Sequence, residues 1–199
     1  MRDKVIIYSH PRSGLHLLSL GLYAMTEHLD EKSEYKTIWG SKYLPSYVHY
    51  FTGITSKQAD SKFDRHILLL RNFITLKTTK AKSRPYGLQL SGYARQIRRF
   101  DNIKSPKMVV YYEDLKEQDD LFFTIADFLD IKYNLKADFS KIRKYVHDMY
   151  ELSGHQRSTK CIISELEKKE TQQKMINETG LVLFEKYLAR YNLKNREQQ

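Results

Sequence analysis

The sequence predicts a three-layer α/β sandwich, in which a mostly parallel central sheet is flanked by helices on both faces. Short apolar runs at residues 5–8, 67–70 and 108–112 have the length and composition of buried strands. Apolar residues then recur at helical spacing, first over residues 14–27 and again towards the C-terminus. Strand and helix patterns that alternate in this way are typical of parallel sheets covered by helices.

The predicted elements follow in order along the chain. The first strand ends at a Ser-His-Pro turn, and the helix after it carries leucines along one side. The later elements are strands at 35–39, 67–70 and 108–112 and helices at 121–129 and 164–191. No repeat, low-complexity tract or linker divides the sequence, so residues 1–199 are expected to form a single domain.

Composition excludes several classes of protein. With 41% hydrophobic and 13% aromatic residues, the chain of 199 residues has the composition of a globular protein. No apolar run approaches the roughly 20 residues that cross a bilayer, and the run near the N-terminus is too short for a signal peptide. The single cysteine, Cys161, excludes an internal disulfide and a thiolate metal cluster. The expected compartment is therefore the cytoplasm.

The positive charge is concentrated in the first half of the chain. Residues 1–100 hold 17 Lys and Arg against 7 Asp and Glu, which accounts for the whole formal charge of +10. Between residues 65 and 100 there are nine basic residues and no acidic one. A field of this sign attracts an anion such as a nucleotide, an acidic substrate, a nucleic acid or an anionic membrane. A solvated basic face would have the same composition, so the charge alone does not identify the anion.

The segment at residues 8–16, Tyr-Ser-His-Pro-Arg-Ser-Gly-Leu-His, connects the first strand to the first helix. Gly14 allows the backbone to approach a ligand closely, and the helix that follows presents unpaired N–H groups and its positive dipole end. Arg12 adds a guanidinium and Ser13 a hydroxyl donor. The segment therefore has the parts of an anion cradle, while the simpler interpretation is a strand–helix turn with a capping serine.

This segment resembles the loop with which sulfotransferases bind the sulfonate donor PAPS (3'-phosphoadenosine 5'-phosphosulfate). The family pattern runs Y-P-K/R-S-G-T-T at the end of the first strand, and Pro11, Arg12, Ser13 and Gly14 match it. Two hydroxyl residues of the pattern are replaced here by Leu15 and His16. A Walker-type loop, by contrast, needs G-x-x-x-x-G-K-[ST], which does not occur in this segment. A P-loop kinase or other NTPase is therefore disfavoured.

Three further motifs of the same family follow in the expected order. The strand at 67–70 runs into Arg71-Asn72, and Thr79 stands eight residues after Arg71, where the family has a serine. The strand at 108–112 leads into Tyr-Glu-Asp-Leu at 112–115, and a charged amphipathic stretch at 164–193 is similar to the closing helix. The resemblance runs over residues 4–193 and implies a P-loop-NTPase-like fold.

The resemblance implies a PAPS-dependent sulfotransferase that transfers a sulfonate group and releases PAP, without a metal. It implies His49 as the general base, with His10 and His16 as rivals, and Arg12 as the cation that stabilises the leaving phosphate. A late basic loop of the family corresponds best to Arg157, with Lys160 as the second choice. The implied PAPS-binding residues are Arg12, Ser13, Gly14, Leu15, His16, Arg71, Thr79 and Arg157.

A second hypothesis is a non-catalytic module that binds a nucleotide or a polyanion on the same fold. It is supported by the departures at Leu15 and His16 and by the lack of the family's R-K-G triplet. Nucleic acid is disfavoured because few aromatic residues are interleaved with the basic residues at 65–100. If the chain is an enzyme, its acceptor is expected to be a small molecule, a carbohydrate or a peptide.

Overall fold

The structure of the chain is a computed structural model. It describes residues 5–11, 13–25, 46–49, 55–77, 79–80, 89–133, 138–140, 142–144, 148, 159–160 and 163–193. At residues 23–24, 46–49, 79–80 and 159–160 it describes the backbone alone.

The described strands form a central sheet and a small separate pair. They are β1 (Val5–Ser9), β2 (Ser46–His49), β3 (Arg65–Leu70), β4 (Thr79–Lys80), β5 (Lys107–Tyr111) and β6 (Thr159–Lys160). The central sheet has the order β2-β1-β3-β5 with every neighbouring pair parallel, and β4 pairs antiparallel with β6. The order places β2 and β3 on opposite sides of β1. In open α/β sheets such a reversal creates a crevice at the carboxyl ends of the strands, where ligands bind.

Eight α-helices are described from end to end. They are α1 (Leu15–Met25), α2 (Ser56–Lys62), α3 (Phe73–Lys77), α4 (Leu90–Asp101), α5 (Tyr112–Glu117), α6 (Asp120–Phe128), α7 (Glu165–Thr179) and α8 (Leu181–Leu188), and a 3₁₀ turn, Ala189–Tyr191, follows α8. None of the helices in these ranges combines the length and apolar content needed to cross a membrane.

Helices cover both faces of the sheet, and successive side chains of a strand point into the two opposite cores. Ile6 and Leu68 lie in a core shared with α4, α7 and α8. Ile7 and Leu69 lie in the opposite core, against α1 and α6. The predicted three-layer α/β sandwich with a mostly parallel central sheet is thus confirmed.

The three apolar runs form three of the four central strands, with boundaries that differ from the prediction by one or two residues. The predicted first helix and the helix predicted at 121–129 correspond to α1 and α6. The strand predicted at 35–39 lies outside the described residues. The strand β2 was not predicted, because its residues Ser-Tyr-Val-His include a single aliphatic side chain.

The stretch predicted as one helix at 164–191 is instead two helices separated by Gly180. Gly180 has a φ of 81°, which a residue with a Cβ adopts at a cost in strain. Its N–H donates to the carbonyl of Ile176 at 2.8 Å, and this bond ends α7. The glycine therefore redirects the chain, so that α7 and α8 can both pack on the same core.

A buried polar pair, Tyr8 and His66, connects β1 to β3. The Tyr8 hydroxyl donates to His66 Nδ1 at 2.7 Å, and His66 Nε2 donates to the carbonyl of Phe63 at 3.2 Å. The imidazole is completely buried, and its neutral form satisfies both contacts. Burial lowers the pKa of His66 below its usual value near 6.5, because the charged form would lose its hydration.

This buried histidine predicts a pH dependence of stability. Because the folded chain resists protonation of His66 and the unfolded chain does not, the free energy of unfolding should fall as the pH drops below about 6.5. Urea denaturation between about pH 5.5 and 7.5 measures the slope. His66→Gln can keep both hydrogen bonds without titrating, so its slope should be shallower. Equal slopes in the two proteins would contradict the prediction.

Candidate functional site

The loop after β1 forms a tight turn that leads into α1. The Ser13 N–H donates to the carbonyl of His10 at 3.0 Å, and Gly14 has a φ of 93°. The Ser13 hydroxyl is buried and has no hydrogen-bond partner among the described residues. Because the first N–H groups of α1 have no carbonyl one turn earlier within the helix, they face the same turn. An anion placed there would receive hydrogen bonds from both sources.

Gly14 is required by the tyrosine that packs against it. A Cβ at Gly14 would lie 2.2 Å from Cδ2 of Tyr112, well inside van der Waals contact. Tyr112 begins α5 directly after β5, and the guanidinium carbon of Arg71 lies 4.4 Å from the centre of its ring. The Tyr112 ring thus lies against both Gly14 of the β1 loop and the Arg71 guanidinium, and its face favours a cation.

The turn at the end of β3 is fixed by Asn72. Its side-chain oxygen accepts from the N–H groups of Ile74 at 2.9 Å and Thr75 at 3.3 Å, so that it caps α3. Its own N–H donates to a carboxylate oxygen of Glu113 at 3.0 Å. Arg71, which precedes it, is therefore placed at the carboxyl edge of the sheet beside the loop after β1.

Tyr93 of α4 contacts both of these strand ends. Its hydroxyl accepts from the N–H of Arg71 at 3.1 Å and donates to the carbonyl of the same residue at 2.7 Å. Its ring lies against the imidazole of His10, with a distance of 5.6 Å between the ring centres. Sequence reasoning missed this residue, because a lone tyrosine in an amphipathic helix is typical of core packing.

The acidic residues of the Tyr-Glu-Asp-Leu motif bind the C-terminal turn. Glu113 accepts from the Tyr191 hydroxyl at 2.6 Å, and both carboxylate oxygens of Asp114 accept from Arg190 at 2.7 Å. Burial raises the pKa of Tyr191, so its hydroxyl stays protonated and remains a donor. The two carboxylates therefore have structural partners. Within the described ranges, no group of three or more His, Cys, Asp or Glu side chains is placed to hold a metal ion.

The predicted site residues fall into three groups. Ser13, Gly14 and Arg71 come together around Tyr112, as described above. His49 ends β2 and pairs in register with Ser9 of β1, so its backbone lies at the same edge of the sheet. The side chain of His49 lies outside the described part, as do the whole of Arg12 and Arg157.

The remaining predicted residues are distributed between α1 and the small β pair. The Leu15 side chain is buried in the core with α6, which leaves its backbone N–H for a ligand, and His16 is half-buried one residue later. Thr79 opens β4 and pairs in register with Lys160 of β6. Their side chains are not described, so a contact of either with a ligand stays a prediction.

No protein-family model and no curated protein matches the sequence. Among solved structures, the chain is similar to the crystal structure of mouse sulfotransferase SULT7A1 complexed with PAP. The identity is 13%, the alignment covers 98% of this chain and 88% of that chain, and the TM-score is 0.46. A similarity of this size does not by itself assign the chain to a family or an activity.

The hydrogen bonds of Glu113 predict that this residue stabilises the site. Glu113→Ala would leave the Asn72 N–H and the Tyr191 hydroxyl without their acceptor, so the free energy of unfolding should fall by about 1–3 kcal/mol. Urea denaturation measures the loss. The control is Glu117→Ala on the same helix, at an exposed position. Equal stability of the two variants would contradict the role of Glu113.

Proposed function

We propose that this chain is a sulfotransferase, which binds PAPS and transfers its sulfonate group to a hydroxyl or amine acceptor. One observation carries the proposal. The turn at Ser13 and Gly14 and the guanidinium of Arg71 lie at neighbouring strand ends, and the Tyr112 ring lies against both Gly14 and the guanidinium. Each is suited to an anion, and together they suit a ligand that carries negative charge at two ends.

The first anion position is the turn before α1. Its donors are backbone N–H groups and the buried Ser13 hydroxyl, and none of them depends on the identity of Leu15 or His16. A buried hydroxyl without a partner costs free energy, and a phosphate or sulfonate oxygen in the turn would supply the acceptor. The 5'-phosphosulfate of PAPS is the group that we assign to this position.

The second anion position is Arg71 at the end of β3. A guanidinium is a fixed fork of donors that matches a phosphate group, and this one is held over an aromatic face. In the proposed complex Arg71 binds the 3'-phosphate of the nucleotide. The pairing of β4 with β6 brings Lys160 opposite Thr79, which favours Lys160 over Arg157 as the second cation of this position.

The chemistry that we propose is an in-line displacement at sulfur. The acceptor oxygen or nitrogen forms a bond to sulfur as the bond from sulfur to the 5'-phosphate oxygen breaks, and the acceptor proton passes to a base. His49 is the proposed base, because its backbone lies at the end of β2, at the edge of the sheet beside the β1 loop. Arg12 in that loop would stabilise the charge that grows on the departing phosphate.

The binding half of the proposal is tested by calorimetric titration with PAP and with AMP, which lacks the 3'-phosphate. The wild type should bind PAP more tightly than AMP. Arg71→Ala should weaken PAP binding by about 10- to 100-fold, the value of a charge-assisted phosphate contact, and should leave AMP affinity nearly unchanged.

The control for Arg71 is Arg95→Ala, which removes an equal charge from an exposed position on α4. If both variants lose the same affinity, the binding reflects general positive charge, and the polyanion-binding module becomes the better description. If the wild type binds neither nucleotide, the proposed donor site is wrong.

The catalytic half is tested with labelled PAPS and a panel of hydroxyl and amine acceptors. His49→Ala should lower kcat by about 10²- to 10⁴-fold while PAP affinity persists, because a general base acts on the acceptor and not on the nucleotide. Arg12→Ala should abolish transfer. His16→Ala tests the rival base, and a larger loss there than in His49→Ala would move the role of base to α1.

A further inference from the structure

The backbone N–H and carbonyl of Arg71 find their partner outside the sheet. The register of β3 with β5 ends at the pair of Leu70 with Tyr111, so Arg71 lies one residue beyond the ladder. Buried or half-buried backbone groups at such a position require other hydrogen-bonding partners. The hydroxyl of Tyr93 supplies an acceptor for the N–H and a donor for the carbonyl of this one residue.

We propose that Tyr93 is a positioning residue, which sets the orientation of Arg71 for the 3'-phosphate of the nucleotide. This inference rests on the proposed function. One hydroxyl that contacts both ends of the same residue restricts rotation about its φ and ψ, and these angles decide where the side chain leaves the backbone. The guanidinium carbon lies 4.4 Å from the centre of the Tyr112 ring. A side chain that is already ordered in this way loses little conformational entropy when it binds the phosphate.

The environment of Tyr93 suits this role. Its side chain is 1% exposed, and burial raises its pKa far above neutrality. The hydroxyl thus keeps its proton at physiological pH, and it can donate to the carbonyl and accept from the N–H at the same time. Since α4 packs on α7 through the adjoining core, the tyrosine is carried by a rigid element.

The ring of Tyr93 also contacts the loop after β1. It lies against the imidazole of His10, and Nδ1 of His10 donates to the carbonyl of Pro11 at 2.7 Å. Tyr93 therefore contacts both strand ends that carry the candidate anion positions. Loss of its contacts should therefore affect a nucleotide with phosphate groups at both ends more than one with a single phosphate group.

The test is the affinity of Tyr93→Phe for PAP and AMP, measured by calorimetry. The variant keeps the ring and loses the hydroxyl, so PAP affinity should fall by about five- to tenfold and AMP affinity should be unchanged. A purely structural role would weaken both nucleotides alike. In the background of Arg71→Ala the loss should disappear, because the hydroxyl acts through Arg71.

The matched control is Tyr187→Phe. Its hydroxyl is also on a largely buried tyrosine, but it donates to Asp101 at the far end of α4, at 2.7 Å. This variant should keep the PAP-to-AMP preference of the wild type. If Tyr93→Phe keeps the same preference while the wild type binds PAP, the inference is wrong and the proposed function stands. If the wild type does not bind PAP, both are wrong.

A second measurement covers the case in which Tyr93→Phe does not fold. Hydrogen exchange of the Arg71 amide in the wild type reports whether this N–H is protected, as its bond to the Tyr93 hydroxyl requires. Exchange as slow as that of the β3 amides supports the role of Tyr93 in positioning Arg71. Exchange as fast as that of an exposed loop amide overturns it, with or without nucleotide.

Discussion

Parallel strands leave backbone groups without partners where the sheet stops, and the carboxyl edge of this sheet depends on side chains that replace those partners. Tyr93 completes the bonds of Arg71, and Glu113 accepts from the N–H of Asn72. Because such groups cannot be left unpaired away from water, the replacements come from α4 and α5, which are remote in sequence. The same bonds hold the strand ends close enough for a loop and a guanidinium to share one aromatic ring.

The sequence predicted the layers of the fold because burial leaves a direct pattern. The strands β1, β3 and β5 are covered on both faces, so their residues read as continuous apolar runs. The strand β2, at one edge of the described sheet, has no such run and was not predicted. The break at Gly180 was also missed, since two helices that pack on one core have the same apolar spacing as one long helix.

The sequence predicted only those residues of the candidate site that stand next to a recognisable strand. The loop at Ser13 and Gly14 and the pair at Arg71 stand directly after apolar runs, and the topology of the sheet brings them together. The roles of Tyr93 and Glu113 arise from contacts across 22 and 41 positions of sequence. No short pattern encodes such a contact, because it depends on how whole helices pack on the sheet.

The hydrogen bonds between Glu113 and Tyr191 and between Asp114 and Arg190 affect how the chain opens. The last turn of a terminal helix ordinarily frays at little cost. Here fraying would remove the Arg190 donors from Asp114 and the Tyr191 donor from Glu113, which also accepts from the N–H of Asn72 at the end of β3. The last described turn is therefore expected to unfold together with the end of β3 rather than to fray by itself.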